Sequence, residues 1–423
     1  MSKVIVFKFG GASVKDADSI KNLFRILFKR LQNPTIIVVS AMGKSTNALE
    51  AILNLKTLKK DYSSNIHIFE DFHLSICRDL FPENHPIFSE LNQQFDLLKN
   101  TLNQDLIEED YDEYYDQVIC FGELISSLII QTYLSFRGIN CTWQDVRNCI
   151  LTNSDFRFAK VDWENTNQNC EKILKPILEN QNIVTQGFIG RDKQGKTTTL
   201  GREGSDFTAS ILASSLKAKE VTIWKDVEGV LNADPKIFEN TIKFEELDYK
   251  EAAELTYYGA SVIHPKTIKP LANSNIPLFV KSFLNPNGSG TIIHNVSKIN
   301  QTPCLVLKTD QILVSFRVND FTFINESHIR LIYTVLEKLK LKVNLLQTSA
   351  ISITIVIDEQ KFKLDKLIYE LDSDFSIRYN NKLNLLTIKN HNPLLVKEIT
   401  NEKEIMLEQL TRNTFQMVYK PSY

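Results

Sequence analysis

Cysteine pairs at metal-ligand spacing are missing from this chain. Its six cysteines, Cys77, Cys120, Cys141, Cys149, Cys170 and Cys304, are scattered, and no two have CxxC spacing. Neither a zinc site nor a disulfide framework is indicated. The seven histidines form no ligand cluster either. A dominant charge is missing too. Lys and Arg number 49 against 51 Asp and Glu, a net charge of −2, which argues against a broad nucleic-acid footprint. No apolar run approaches the length that spans a bilayer. The first apolar run lasts only a few residues before Gly10 ends it, unlike a signal peptide. These absences predict a cytoplasmic protein with reduced thiols and with no nucleic-acid or membrane partner. The 423 residues, 43% apolar and 24% charged, suffice for two or three globular domains with a sizeable core.

The stretch Val4–Val14, VIVFKFGGASV, organises the rest. Val4–Phe7 reads as a buried strand, broken by Lys8-Phe9-Gly10-Gly11. Apolar spacing at Ile20, Leu23, Phe24 and Leu27 then marks a helix. Strand, glycine pair and helix make a phosphate-cradle layout. Glycines let backbone N–H groups approach an anion, and a helix N-terminus adds positive partial charge. Lys8 sits where its ammonium reaches the same oxygens. The same pattern also describes an ordinary tight turn with a surface lysine.

Thr35–Val39 is a second buried strand, and it ends in small and hydroxyl residues from Ser40 to Asn47. Ligands bind at such strand ends in open α/β sheets, although Ser and Thr there also cap helices. Residues 57–115 read as helical and polar, and the acids between Glu108 and Asp116 as a solvated surface. Glu123 lies in the first turn of the helix LISSLIIQTYL. There it either complements the helix dipole or receives an ammonium group. Asn182–Gly190 is a strand ending in glycines, followed by a polar hairpin. Gly201-Arg202-Glu203-Gly204-Ser205-Asp206 opens a further helix with one guanidinium, one hydroxyl and a carboxylate close together. His264 before a proline is either catalytic or a structural residue at a helix junction. Strands alternating with helices predict an α/β sandwich with a mostly parallel sheet. The character changes between Asn300 and Pro303. From Gln311 a βαββαβ order restarts, with a shortened copy in the tail; it holds no glycine loop and suits ligand sensing or assembly.

Seven motifs in fixed order, KFGGASV, VVSAMGKSTNAL, FGELISS, TQGFIGRD, TTTLGREGSDFTAS, KDVEGVLNADP and YYGASVIHP, resemble those of the aspartate kinases over residues 3–293. The resemblance implies the amino-acid kinase fold, a three-layer αβα sandwich, over residues 1–297. It also implies an ACT-like α+β domain at 305–380 and an abbreviated second ACT-like unit at 381–423. No homoserine dehydrogenase portion is expected. The reaction implied is ATP-dependent phosphorylation of the aspartate β-carboxylate, in which positioning and charge neutralisation matter most. A carboxylate nucleophile is already ionised at pH 7 and needs no general base. Lys8 would neutralise the transferring phosphoryl group and Asp206 would orient Lys8. Gly10, Gly11, Gly204 and Ser205 would bind phosphate. Arg202 would clamp a substrate carboxylate and Glu123 the ammonium, with Ser40 and Thr46 completing the pocket. Lys225, Asp226, Leu231, Lys236 and Ser261 would line the nucleotide site, with Mg²⁺ held mostly by phosphate oxygens and water. The resemblance further implies a homodimer through the ACT-like region, with lysine or threonine as possible effectors.

The chain departs from that pattern at several positions. Ala12 stands where Thr is usual, Glu203 where Gly is usual, Lys225 where Thr is usual, Lys236 where Arg is usual and Ser261 where Lys is frequent. Glu203 is therefore expected to point outward or to pair with a neighbouring cation. Lys225 or Lys266 is expected to supply the charge missing at Ser261. The competing readings are a kinase for glutamate or acetylglutamate and a catalytically weak ACT-containing amino-acid sensor.

Overall fold

The structure, a computed structural model, describes residues 3–105, 110–260, 263–296, 301–319 and 322–421. Two compact units divide the chain. The first comprises Met1–Val230, Lys243–Ala253 and Val262–Ile299; the second comprises Leu231–Ile242, Glu254–Ser261 and Asn300–Tyr423.

The strands of the first unit are β1 (Ile5–Phe9), β2 (Thr35–Val39), β3 (Cys141–Gln144), β4 (Asn182–Gln186), β5 (Ile189–Arg191), β6 (Thr197–Thr199), β7 (Glu220–Lys225), β8 (Glu246–Asp248), β9 (Leu278–Ser282) and β10 (Thr291–His294). Eight of them form one sheet in the order β3-β4-β2-β1-β7-β9-β10-β8. Every neighbour pair is parallel except β9 with β10. β1 and β2 are buried along their whole length, as their β-branched and apolar composition requires in a sheet covered on both faces. β1 runs on through Lys8 and Phe9, because these residues pair with Val38 and Val39 on one side and with Ile223 and Trp224 on the other. The lysine that the sequence suggests as a strand breaker is thus the fourth residue of a central strand.

The helices are α1 (Ala17–Phe28), α2 (Ser45–Thr57), α3 (Ser63–Leu80), α4 (Ile87–Leu102), α5 (Tyr111–Ile119), α6 (Phe121–Phe136), α7 (Trp163–Leu178), α8 (Gly204–Leu216), α9 (Tyr249–Tyr258) and α10 (Pro265–Asn273). α7 and α8 cover one face of the sheet with α10 packed on α8, and α6 covers the other with α2 and α4 packed on it. This is the expected αβα sandwich. α5 and α6 follow each other so closely that Tyr111–Phe136 is long and apolar enough to cross a membrane by length and composition. Sequence inspection misses this run because α5 carries polar residues; 78% of the apolar window is buried inside the protein.

The acidic stretch before α6 needs a correction. Glu108 lies outside the described residues, but Asp116 is completely buried rather than solvated. Its Oδ2 accepts from the backbone N–H groups of Thr199 (2.7 Å) and Arg157 (2.9 Å), and its Oδ1 from the Thr199 hydroxyl (2.7 Å). Burial pushes its pKa up to about 6, against the pull of these donors. One carboxylate thereby ties α5 to β6 and to the loop before α7.

The second unit holds β11 (Cys304–Val318), α11 (Glu326–Lys338), β12 (Val343–Thr348), β13 (Ser352–Asp358), α12 (Lys361–Leu371), β14 (Phe375–Lys389), α13 (Pro393–Thr400), β15 (Ile405–Leu410) and β16 (Thr414–Tyr419). They form one antiparallel sheet in the order β12-β13-β11-β14-β16-β15. β11 and β14 are each 15 residues long, and their pairing is interrupted by register shifts between Lys308 and Leu313. Gln311–Val318 belongs with β12, β13 and the first part of β14, whereas Cys304–Lys308 belongs with the last part of β14, β16 and β15. The shortened copy seen in the tail therefore takes its fourth strand from residues ahead of the first copy. Side chains from α11 and α12 pack on Ile312, Val314 and Phe316, and those from α13 on Leu386, Ile388 and Met417. A separate cluster, with Leu313, Val356, Leu383 and Val418 buried, lies on the alternate strand positions. The sheet curls enough to bring its edge strands within reach of each other at one point, where the Gln409 amide donates to the Leu346 carbonyl (3.5 Å).

Replacing Asp116 with Asn turns one of its two acceptor oxygens into a donor, so the two N–H groups and the hydroxyl that meet this carboxylate lose one of their acceptors. Asp116→Asn is expected to lower the unfolding free energy by about 3 kcal/mol, measured by urea denaturation.

Candidate active site

The carboxyl ends of β1 and β2 and the start of α8 converge on a cavity of about 460 Å³ in the first unit. Lys8, Gly11, Ser40, Thr46, Glu123, Arg202, Gly204, Ser205 and Asp206 all line it. These are nine of the residues singled out from sequence, drawn from segments far apart in the chain.

The Gly10–Gly11 turn is not followed directly by α1. Gly11–Val14 forms a short 3₁₀ turn, and α1 starts at Ala17 with Asp16 as its cap, accepting from the Ser19 N–H (2.7 Å). The expected helix N-terminus beside the glycine pair is thus replaced by a tight turn. Gly11 is required by close approach, since a Cβ there would lie 2.8 Å from the Ala41 carbonyl oxygen. The helix whose N-terminus faces the cavity is α8. Glu203 precedes it at φ 58°, a left-handed conformation, and provides no side-chain cap. Among the described residues, the N–H groups of Gly11 and Ser205 have no acceptor. Two free donors in one cavity suit an anion. A further glycine holds α8 close: a Cβ on Gly187 would come 2.4 Å from Ser205 Cβ.

Two lysines meet one carboxylate of this cavity: Lys8 lines it, and Lys225 reaches it through Asp206 and Glu203 without lining it itself. Lys8 Nζ is 2.6 Å from Asp206 Oδ1 and Lys225 Nζ is 3.2 Å from Asp206 Oδ2. Burial alone would raise the Asp206 pKa, but the Lys8 and Lys225 charges outweigh it and hold the carboxyl well below the usual range. Burial pulls Lys225 the other way, yet Asp206 and Glu203 beside it keep its pKa above the ordinary lysine value. Glu203 Oε2 lies 3.6 Å from Lys225 Nζ, so the expected cation partner of Glu203 is Lys225. Lys266 is not at this site; it lines a different cavity with Trp163, Phe207 and Lys269.

Glu123 is buried in the first turn of α6, where the Ala41 N–H donates to its Oε1 at 3.4 Å. Its Oε2 has no hydrogen-bond partner among the described residues. Burial pushes its pKa up to about 8, offset only in part by the Ala41 N–H and the Lys8 charge. Arg202 is exposed and makes no ion pair among the described residues. One unmatched carboxylate oxygen and one unmatched guanidinium in a single cavity suit a ligand that carries both an ammonium and a carboxylate.

Other residues singled out from sequence lie elsewhere. Gly10 sits behind the turn, with Lys8 Nζ 3.4 Å from where its Cβ would be. Asp226 is exposed and does not line the cavity. Leu231 and Lys236 belong to the second unit, and Ser261 lies outside the described residues. His264 caps α10, its Nδ1 accepting from the Lys266 N–H (3.2 Å). Sequence reasoning missed Tyr115, Arg157, Phe158, Phe188, Thr199 and Gly201, which also line the cavity. Phe188, Thr199 and Gly201 fall within motifs already noted. Arg157 and Tyr115 carry no such signal; the guanidinium stacks 4.3 Å from the Tyr115 ring and pairs with Asp112 (3.1 Å).

The model of the amino acid kinase family matches residues 3–282. The chain belongs to the amino acid kinase family. Within it the chain groups with the aspartokinases. It is 31% identical to lysine-sensitive aspartokinase 3 of Escherichia coli (strain K12), over 85% of this chain and 79% of that protein. It is likewise 31% identical to the chloroplastic aspartokinase 3 of Arabidopsis thaliana, over 87% of this chain and 67% of that protein. The crystal structure of E. coli aspartokinase III in complex with aspartate and ADP superposes with a TM-score of 0.84 at 26% identity, covering 99% of this chain and 96% of that one.

Gly187→Ala is expected to push the first turn of α8 away from β1. Turnover should fall about a hundredfold, as a displacement near 1 Å at a reacting centre can cause. Steady-state ADP release beside a melting curve separates this from global unfolding.

Proposed function

We propose that this chain catalyses transfer of the ATP γ-phosphoryl group to the β-carboxylate of L-aspartate, giving 4-phospho-L-aspartate and ADP. The observation that carries this reading is the cavity itself. It joins the buried Lys8–Asp206 pair and free backbone donors to the unmatched Glu123 and Arg202. Relatives named aspartokinase, and a solved relative that holds aspartate and ADP, support it.

In this reading each group has a distinct task. Glu123 receives the aspartate ammonium and Arg202 its α-carboxylate, which leaves the β-carboxylate directed toward Lys8. Ser40 and Thr46 close the pocket around the amino acid. Gly11 and Ser205 donate N–H groups to phosphate oxygens, with Gly10 and Gly204 permitting the close backbone approach. Lys8, aligned by Asp206, neutralises the charge that builds on the transferring group. Asp226, Leu231, Lys236 and Ser261 are assigned to the nucleotide on the motif resemblance alone. Mg²⁺ is assigned to the triphosphate, because the cavity carboxylates Asp206 and Glu203 are engaged by lysines. Residues 1–297 form the kinase portion of this reading, and 305–380 and 381–423 the two ACT-like parts. A homodimer through the ACT-like part and inhibition by lysine belong to the same reading, the latter supported by the name of the E. coli relative. A cytoplasmic location suits six free, buried cysteines.

A coupled ADP-release assay with aspartate, glutamate and acetylglutamate tests the assignment. Turnover on aspartate alone, lost in Lys8→Ala, is the expected result; turnover on another acid, or on none, overturns it. Glu123 adds a pH dependence. Its carboxyl, with a pKa near 8, must ionise to pair with the substrate ammonium, so aspartate binding at pH 7 should release protons. The aspartate affinity is expected to rise as pH increases toward 8. Calorimetry in buffers of different ionisation enthalpy should show the release, and Glu123→Gln should abolish it.

A further inference from the structure

Glu203 and Lys225 are both unexpected where they stand. Glu203 occupies a left-handed conformation at φ 58° that glycine adopts without strain, and it places a carboxylate on the wall of a cavity suited to anions. Lys225 ends β7 one residue beyond Trp224, which pairs with Phe9, the last residue of β1. Apart from the Lys8 and Lys225 ammonium groups, no N–H or hydroxyl of the described residues bonds either oxygen of Asp206, so its charge rests on these two lysines. An ammonium has three donors. One of those on Lys225 meets Asp206 Oδ2 at 3.2 Å, and Glu203 Oε2 stands farther off at 3.6 Å. The Glu203 side chain is about one-third exposed and Lys225 about one-sixth, so the glutamate is the partner that can swing into solvent at little desolvation cost.

We propose that Lys225 is a second phosphate-binding ammonium in this site and that Glu203 is its resident counter-ion, displaced when the anionic phosphates enter. This rests on the reading that the cavity receives nucleotide phosphates. A carboxylate facing those phosphates would otherwise only repel them. Paired with Lys225, it cancels the extra charge and leaves Lys8 and Asp206 as a balanced pair. Incoming phosphate oxygens take the place of Glu203 beside the Lys225 ammonium, and Asp206 fixes the position of both ammonium groups throughout.

The test is a cycle of wild type, Glu203→Gly, Lys225→Met and the double variant, with Lys225→Arg and Glu203→Gln beside them. ADP and pyrophosphate binding are read by calorimetry at two ionic strengths, and ATP KM and kcat by ADP release. Lys225→Met is expected to weaken ADP binding about tenfold and to raise the ATP KM, with Lys225→Arg restoring most of both. Glu203→Gly and Glu203→Gln should each tighten ADP and pyrophosphate binding about threefold, and the gain should vanish once Lys225 is Met. A purely structural pair would move the melting temperature and leave the ratio of ATP KM to kcat untouched. Equal effects of Glu203→Gly with and without Lys225 overturn the proposal. Should Lys225→Met not fold, unchanged ADP and pyrophosphate affinity in Glu203→Gln overturns it alone. These binding measurements need no acceptor, so they stand even where turnover on aspartate fails.

Discussion

A carboxylate without backbone donors is the fixed point of the catalytic unit. Asp206 lies fully buried at the head of α8, and its charge survives only because ammonium groups from β1 and β7 reach it. Three elements that are remote in sequence must therefore arrive together, or an uncompensated charge remains inside the protein. The parallel register of β1 with β7 brings Lys8 and Lys225 to the same end of the sheet. The glycine at 187 lets α8 approach closely enough to complete the pair. Fold and site are in this sense one requirement, since the strand order that buries β1 also aligns its lysine.

The rest of the cavity is built from groups left unmatched. Among the described residues, Glu123 is held in a low-dielectric turn with one oxygen unmatched, and the exposed Arg202 has no carboxylate partner. Such groups cost stability in isolation and repay it only through a ligand. Asp116 works in the opposite way. It satisfies three donors and so fixes the wall residues Thr199 and Arg157, although it does not line the cavity itself.

Much of this is legible in the sequence alone. The glycine pair, the hydroxyl-rich end of β2 and the Arg-Glu-Gly-Ser-Asp turn each named their residues, because short motifs of Gly and charge reflect strict local geometry. Lys8 inside a strand was less legible, since a charged residue followed by Phe-Gly-Gly reads as an ending; only pairing on both sides carries the strand through it. Asp116 was invisible for a different reason. Among neighbouring acids it looks like surface, and its burial depends on α5 lying against β6, a contact of long sequence separation. The cavity role of Arg157 depends likewise on a left-handed residue at φ 68° in a loop without motif. In the second unit the local βαββαβ pattern was plain. The sharing of β11 between two sub-patterns was not, because sequence order placed the borrowed strand before the first of them.

That sharing has a mechanical meaning. β11 and β14 each run unbroken through both halves of the curled sheet, so no linker separates the halves and neither can turn as a rigid body while the other stays still. Their bulged crossing between Lys308 and Leu313 is where the pair can change its twist. A molecule gripping α11 or the end of β12 would load the same two strands that carry α13 and β16. The unit is built less like two beads on a string than like a single torsion bar, with any strain at one end felt at the other.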